Sequence, residues 1–174
     1  MHERLLCTPL FTVEHRVHER PGRSPVERDV VVHPGAVVIL PVLDDGRIVM
    51  IRNHRFAVDE ELWELPAGTR EAGESPSQTA QRELEEETGY RASAVSPMLA
   101  FYTSPGILTE YMHAFEATGL TPVGRRPADD ESIVCEILEP DTARRMLFDG
   151  TVRDAKTIAV LARYFLRSSL SAIG

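Results

Sequence analysis

The stretch Gly68-Thr-Arg-Glu-Ala-Gly-Glu-Ser-Pro-Ser-Gln-Thr-Ala-Gln-Arg-Glu-Leu-Glu-Glu-Glu-Thr-Gly-Tyr90 constrains this chain more than any other. It reads as a loop feeding a short helix with marked ends. Ser75 is a strong N-cap, Pro76 falls at the first helical position, and Gln78 stands where a capping box places Glu or Gln. Gly89 supplies the left-handed residue that stops the helix. At about 100° per residue, Glu83, Glu86 and Glu87 share one face, while Glu85 points away toward solvent. Like charges at these spacings cost roughly 0.2–0.5 kcal/mol per pair, and acids near a helix C-terminus oppose its dipole. Arg82 alone does not balance them. Such clustered carboxylate oxygens suit the hard cations Mg²⁺ and Mn²⁺; the plainer alternative is a solvated acidic face.

The spacing decides between the two. Gly68 is followed after five residues by Glu74, after seven more by Arg82-Glu83, and then by Leu84, Glu86-Glu87 and Gly89. This pattern resembles the Nudix box at every fixed position except the last, where Tyr90 replaces the usual aliphatic residue. The resemblance covers most of the chain. It implies an α/β fold: the Nudix α/β/α sandwich with a mixed β-sheet over residues 34–174, preceded by a small N-terminal antiparallel β subdomain over residues 1–33.

The hydrophobic pattern agrees with that outline. Phe11, Val13, His15 and Val17 alternate with polar residues, Glu19 to Pro25 is a turn, and Val26 to Val32 reads as a second strand. Two or three such strands do not form a stable unit alone, so they must lie on the main domain or on a partner subunit. His15 and His18 fall on opposite strand faces, as surface residues rather than a ligand pair. Gly35 to Val42 is continuously apolar, as suits a strand buried on both faces. A hairpin at Asp44-Asp45-Gly46 returns along Arg47 to Arg52, and Arg55 leaves that strand in position to face a cleft. Leu62 to Gly68 reads as one short strand into the box. Ala92 to Tyr102 is strand-like but interrupted at Pro97, Tyr111 to Ala117 is a strand, and Thr118 to Asp130 a loop before the strand Ile133 to Leu138. Two helices follow, Pro140 to Phe148 and one capped by Asp154. Ala155, Ile158, Ala159, Ala162, Phe165 and Leu166 form the expected core stripe of the second helix.

Composition narrows the partners. The formal net charge of −8 argues against a nucleic-acid partner, and no apolar run approaches the roughly 20 residues of a membrane span. The N-terminus lacks the apolar core of a signal peptide, and two cysteines make no disulfide framework, so a cytoplasmic location is expected.

Within the superfamily the chain is most similar to ADP-ribose pyrophosphatases. Pro105 lies 16 residues after Gly89, as in those enzymes, and Ser104-Pro105-Gly106 with the following Glu110 resembles their Ser-Pro-Gly segment. Glu64 to Gly68 and the pair Arg52 and Arg55 fit the same group. The resemblance implies Mg²⁺- or Mn²⁺-dependent hydrolysis of the diphosphate linkage of a small-molecule nucleoside diphosphate derivative, ADP-ribose first, by a homodimer with exchanged N-terminal strands. It assigns the metal to Glu83, Glu86, Glu87 and the Ala67 carbonyl, and gives Glu86 a second possible duty in activating water. Glu74 and Arg82 would hold the loop to the helix. Glu131 is the implied general base, although the second Glu that often follows it is Val134 here; Glu110 is the alternative base or an extra ligand. Arg55, Gly106 and Arg28 of the partner strand are the implied substrate contacts. Two rivals stay open: a pyrophosphatase for GDP-mannose, UDP-glucose or NADH, and a Nudix-fold ligand sensor without catalysis.

Overall fold

The computed structural model describes residues 2–124 and 133–170. Strand β4 (Ala36–Pro41) is buried along its whole length, and its two faces enter two different cores. Val37 and Ile39 pack with Ala80 and Leu84 of helix α1 (Pro76–Thr88), whereas Val38 and Leu40 pack toward helices α2 (Pro140–Phe148) and α3 (Ala155–Leu170). This period-two division is what a continuous apolar strand between two helical layers requires. Around β4 lies a mixed sheet ordered β7-β4-β9-β8, built with β7 (Ala67–Thr69), β8 (Tyr90–Tyr102) and β9 (Tyr111–Pro122); β4 and β9 run parallel. A second sheet has the order β10-β5-β6, from β5 (Ile48–Arg55), β6 (Glu60–Glu64) and β10 (Ile133–Leu138).

The N-terminal strands β1 (His2–Cys7), β2 (Thr12–Arg20) and β3 (Arg23–Val32) form a separate antiparallel sheet in that order. None of their side chains joins either buried cluster. The sheet is fastened to the rest of the chain through the Ser-Pro-Gly segment: the Val31 N–H donates to the Ile107 carbonyl at 2.9 Å, and the Thr109 N–H to the Val31 carbonyl at 2.9 Å.

Several boundaries differ from the sequence expectation: the turn expected over Glu19 to Pro25 is only Pro21-Gly22, and the strand expected to end at Arg52 runs on through Arg55. Leu62 to Gly68 is not one strand; the chain breaks at Leu65-Pro66 and passes from β6 in one sheet to β7 in the other. Pro66 has no N–H for a ladder, but its carbonyl accepts from Ile39 N–H at 2.8 Å, which turns the chain onto β4. Pro97 does not interrupt β8, because a shift in register between Pro97 and Leu99 absorbs it. Thr118 to Pro122 is not loop but the end of β9, paired with Tyr90 to Ala94.

The stripe expected on α3 is also corrected. The helix buries Thr157, Val160 and Leu161, with Tyr164 and Phe165 against the same core, and exposes Ala155, Ile158 and Leu166. The polar Thr157 is the reason. Its hydroxyl accepts the Leu65 N–H at 2.9 Å and donates to Asp154 at 2.6 Å, so a buried polar anchor turns Ala155, Ile158 and Leu166 outward and leaves Ala159 and Ala162 half-buried. Leu161→Ala is therefore expected to cost about 2–5 kcal/mol in urea unfolding, and Leu166→Ala within about 0.5 kcal/mol of zero. Equal costs would contradict the observed face.

Candidate active site

Helix α1 has the ends its sequence dictates. The Ser75 hydroxyl accepts from Gln78 N–H at 3.3 Å, the Gln78 side chain accepts from Ser75 N–H at 2.8 Å, and Gly89 ends the helix at φ 74°. Those caps fix which way the acidic face looks, and it looks at β7. The Glu87 carboxylate is buried and accepts the Ala67 N–H at 2.9 Å. The Glu83 carboxylate lies so close to the neighbouring residue that a Cβ on Gly68 would stand 2.0 Å from its carbon and from one oxygen. Only glycine leaves that space. Ala67, Gly68, Glu83 and Glu87 are thus brought together as expected, with Glu86 at the rim. Glu85 faces away and pairs with Arg91 at 2.7 and 3.0 Å.

One guanidinium organises these acids. Arg82 donates to Glu74 at 3.0 and 3.2 Å, to Glu83 at 2.7 Å, to Glu86 at 3.0 Å and to the Thr69 carbonyl at 3.2 Å. It ties the loop to the helix and offsets more of the acidic face than one arginine against four acids suggested. Arg82 holds the Glu74 carboxyl down at about 2, helped by Glu71 N–H and the Thr79 hydroxyl. Among the described residues no three of His, Cys, Asp and Glu are already gathered as a metal-binding cluster. The donors at the Gly68 gap are all oxygens, however, and the missing side chain lets the Glu83 carboxylate lie against the strand beside Ala67; this set fits a hard divalent cation.

Two cavities meet here. The larger, about 1030 Å³, is lined by Arg55, Gly68, Arg70, Arg82 and Glu83. The smaller, about 310 Å³, is lined by Arg55, Ala67, Thr103, Glu110, Asp154 and Lys156. Arg55 borders both, and it forks onto Glu64 at 2.7 and 2.6 Å. Glu64 is fully buried and also accepts from Lys156 Nζ at 2.5 Å; Lys156 in turn reaches Asp154 at 2.7 Å. A buried carboxylate needs such partners, and here they clip the start of α3 to the strand that delivers Ala67. Sequence reasoning missed Glu64 and Lys156 as site residues. The available signal was a lone acid inside the apolar run Leu62 to Ala67.

The remaining expected residues are placed as follows. Glu110 lines the smaller cavity, accepts from the Thr103 hydroxyl at 2.7 Å and lies 3.6 Å from His33 Nδ1. Gly106 sits in an exposed turn and borders neither cavity. Arg28 is exposed on β3, bonded to its neighbour's carbonyl at 2.7 Å, and borders neither. Glu131 lies outside the described residues.

The depressed Glu74 carboxyl carries a pH signature. Its ordinary value is 4.5, so its contribution to stability is complete above about that pH and disappears as the pH falls toward 2. Glu74→Gln is expected to be less stable than the parent at pH 7 and to lose less stability between pH 5 and 2, read from melting temperatures across that window. Parallel curves would show that the Arg82 contact contributes nothing.

The NUDIX domain family matches residues 32–161. The ADP-ribose pyrophosphatase of Bacillus subtilis (strain 168) is 39% identical over 156 residues, 88% of this chain and 84% of that protein. The ADP-ribose pyrophosphatase of Mycobacterium tuberculosis (strain H37Rv) is 41% identical over 164 residues, 92% of this chain and 79% of that protein. A crystal structure of an ADP compounds hydrolase superposes with a TM-score of 0.82 at 23% identity, covering 100% of this chain and 94% of that one, which shows the shared fold. With a box whose acidic face meets β7 across Gly68 and a match spanning both helical layers, the chain belongs to the Nudix family of hydrolases.

Proposed function

We propose that the protein hydrolyses the diphosphate linkage of ADP-ribose to AMP and ribose 5-phosphate. The observation that carries this reading is the meeting of Glu83 and Glu87 with the Ala67-Gly68 strand at the edge of a cleft lined by arginines. Similarity to two ADP-ribose pyrophosphatases over most of both chains supports the substrate. Water adds to one phosphorus and the bridging P–O bond breaks, so negative charge grows on the oxygens around the phosphorus. Glu83, Glu87 and the Ala67 carbonyl would hold Mg²⁺ or Mn²⁺, with Glu86 beside them. When bound, the cation supplies charge neutralisation and a more acidic water.

The chain's own groups do the rest. Arg55, kept charged and oriented by Glu64, faces both cavities and is placed to bind substrate oxygens. Glu110, oriented by the Thr103 hydroxyl, is the described candidate for the proton acceptor, and Glu131 is the other. Arg28 reaches a site only from a second copy. We assign the N-terminal sheet, which adds nothing to either core, to a homodimer interface with exchanged strands, with Arg28 and Gly106 near the substrate of that assembly. The two cysteines are free thiols, in keeping with a reducing cytoplasm.

Hydrolysis of ADP-ribose, GDP-mannose, UDP-glucose and NADH, each with Mg²⁺ and with a chelator, tests the reading. The expected result is Mg²⁺-dependent release of AMP with ADP-ribose preferred. Glu83→Gln and Glu87→Gln should each lose more than the roughly 10–100-fold that an outer-shell partner costs, with an unchanged circular dichroism spectrum. Preference for another diphosphate would move the substrate, and no turnover at all would favour a ligand sensor. Sedimentation at micromolar concentration should show a dimer; a monomer would remove the assembly.

A further inference from the structure

The three arginines lining the larger cleft differ in how their charge is met. Arg55 forks onto Glu64, and Arg82 reaches Glu74, Glu83 and Glu86. Arg70 forms no ion pair with a carboxylate among the described residues. Its Nη2 donates to the main-chain carbonyl of Glu74 at 2.9 Å. Its Nε is buried without a hydrogen-bond partner, the one such side-chain atom among the described residues. A guanidinium never gives up its charge, and buried donors are met almost everywhere in folded proteins. A guanidinium that lines a cleft with one donor unmet and no carboxylate partner among the described residues is placed to turn its fork onto an anionic acceptor from outside the chain.

Its placement is rigid rather than incidental. Arg70 directly follows β7, and its N–H donates to the Gly35 carbonyl at 3.1 Å, which carries the β4–β7 pairing one step further. The Arg70 stem runs beside Gly35, where a Cβ would meet Arg70 Cδ in ordinary contact at 3.7 Å. His113 is neutral or cationic and so brings no opposite charge; burial and the nearby Arg70 push its imidazole below the ordinary value. Arg70 thus stands just past the short strand that carries Gly68, two residues from the gap over Glu83, with donor capacity unspent.

We propose that Arg70 is a substrate-binding residue that takes a non-bridging diphosphate oxygen in the cleft beside Gly68 and Glu83. The proposal rests on the reading of that cleft as a diphosphate site. Arg70 lies among the unspecified residues between Gly68 and Glu74, so the spaced pattern passes over it. An arginine here presents a planar fork, which a lysine replaces only in charge.

The test measures binding of α,β-methylene-ADP with Mg²⁺ by calorimetry to the parent, Arg70→Gln and Arg70→Lys, alongside steady-state kinetics on ADP-ribose and Mn²⁺ binding without nucleotide. The expected result is at least about tenfold weaker analogue binding for Arg70→Gln, partial recovery in Arg70→Lys, and unchanged Mn²⁺ affinity. The loss should fall on KM, with kcat within about threefold. Unchanged analogue affinity in Arg70→Gln overturns the proposal, as does a parent that does not bind the analogue. Loss of Mn²⁺ affinity and melting temperature in both variants assigns Arg70 a structural role and also overturns it. A parent that binds the analogue but hydrolyses no diphosphate sinks the hydrolase reading alone, because the binding comparison still decides Arg70.

Discussion

The close passage of the Glu83 carboxylate over Gly68 is the constraint on which the rest of the site depends. A side chain as small as a methyl group would stand 2.0 Å from that carboxylate, so the carboxylate can lie over the strand at this point only because the residue is glycine. The approach is held from both sides. β7 is paired with β4 through Val38–Ala67 and Val37–Gly68, and α1 is drawn onto it by the Glu87–Ala67 hydrogen bond of 2.9 Å. Leu84, fully buried between Glu83 and Glu85, seats the helix on Val37 and Ile39, so the packing of the core and the aim of the acids are one geometric fact.

A second, electrostatic layer fixes the strand from behind. Glu64 is fully buried, and its carboxylate is met by Arg55 and Lys156; Asp154 completes the ring and caps α3 through the Thr157 N–H at 2.9 Å. Losing both cations would leave the buried Glu64 carboxylate unmet, a loss typically of about 3–5 kcal/mol. The ring joins the end of β6, where the chain turns into β7, to the start of α3. Arg55 is held on the wall of both cavities, while Arg70, two residues past Gly68, meets no such carboxylate among the described residues.

Local chemistry made much of this legible beforehand. Ser75, Gln78 and Gly89 stated the ends of α1, the run from Gly35 to Val42 stated a strand buried on both faces, and the spacing of Glu83, Glu86 and Glu87 stated their shared side. What stayed hidden was long-range. The outward turn of Ala155, Ile158 and Leu166 on α3 depends on Thr157 finding Leu65, which lies 92 residues earlier in the chain. The pairing of Glu64 with Lys156 spans the same separation. The break at Pro66 and the bulge at Pro97 follow from which strand each segment meets, and no local pattern encodes the partner. Arg70 was passed over because a spaced pattern weighs only its fixed positions, whereas an unmet donor exists only once the chain is folded.

The central claim, that the glycine gap over Glu83 makes the site, is tested most directly by Gly68→Ala. Mg²⁺-dependent AMP release from ADP-ribose would be measured together with Mn²⁺ affinity and cooperative thermal unfolding. The account predicts a folded protein that has lost at least about 100-fold in turnover, with weakened Mn²⁺ binding, because the methyl group displaces the carboxylate. A Gly68→Ala protein with parental turnover and Mn²⁺ affinity would contradict it.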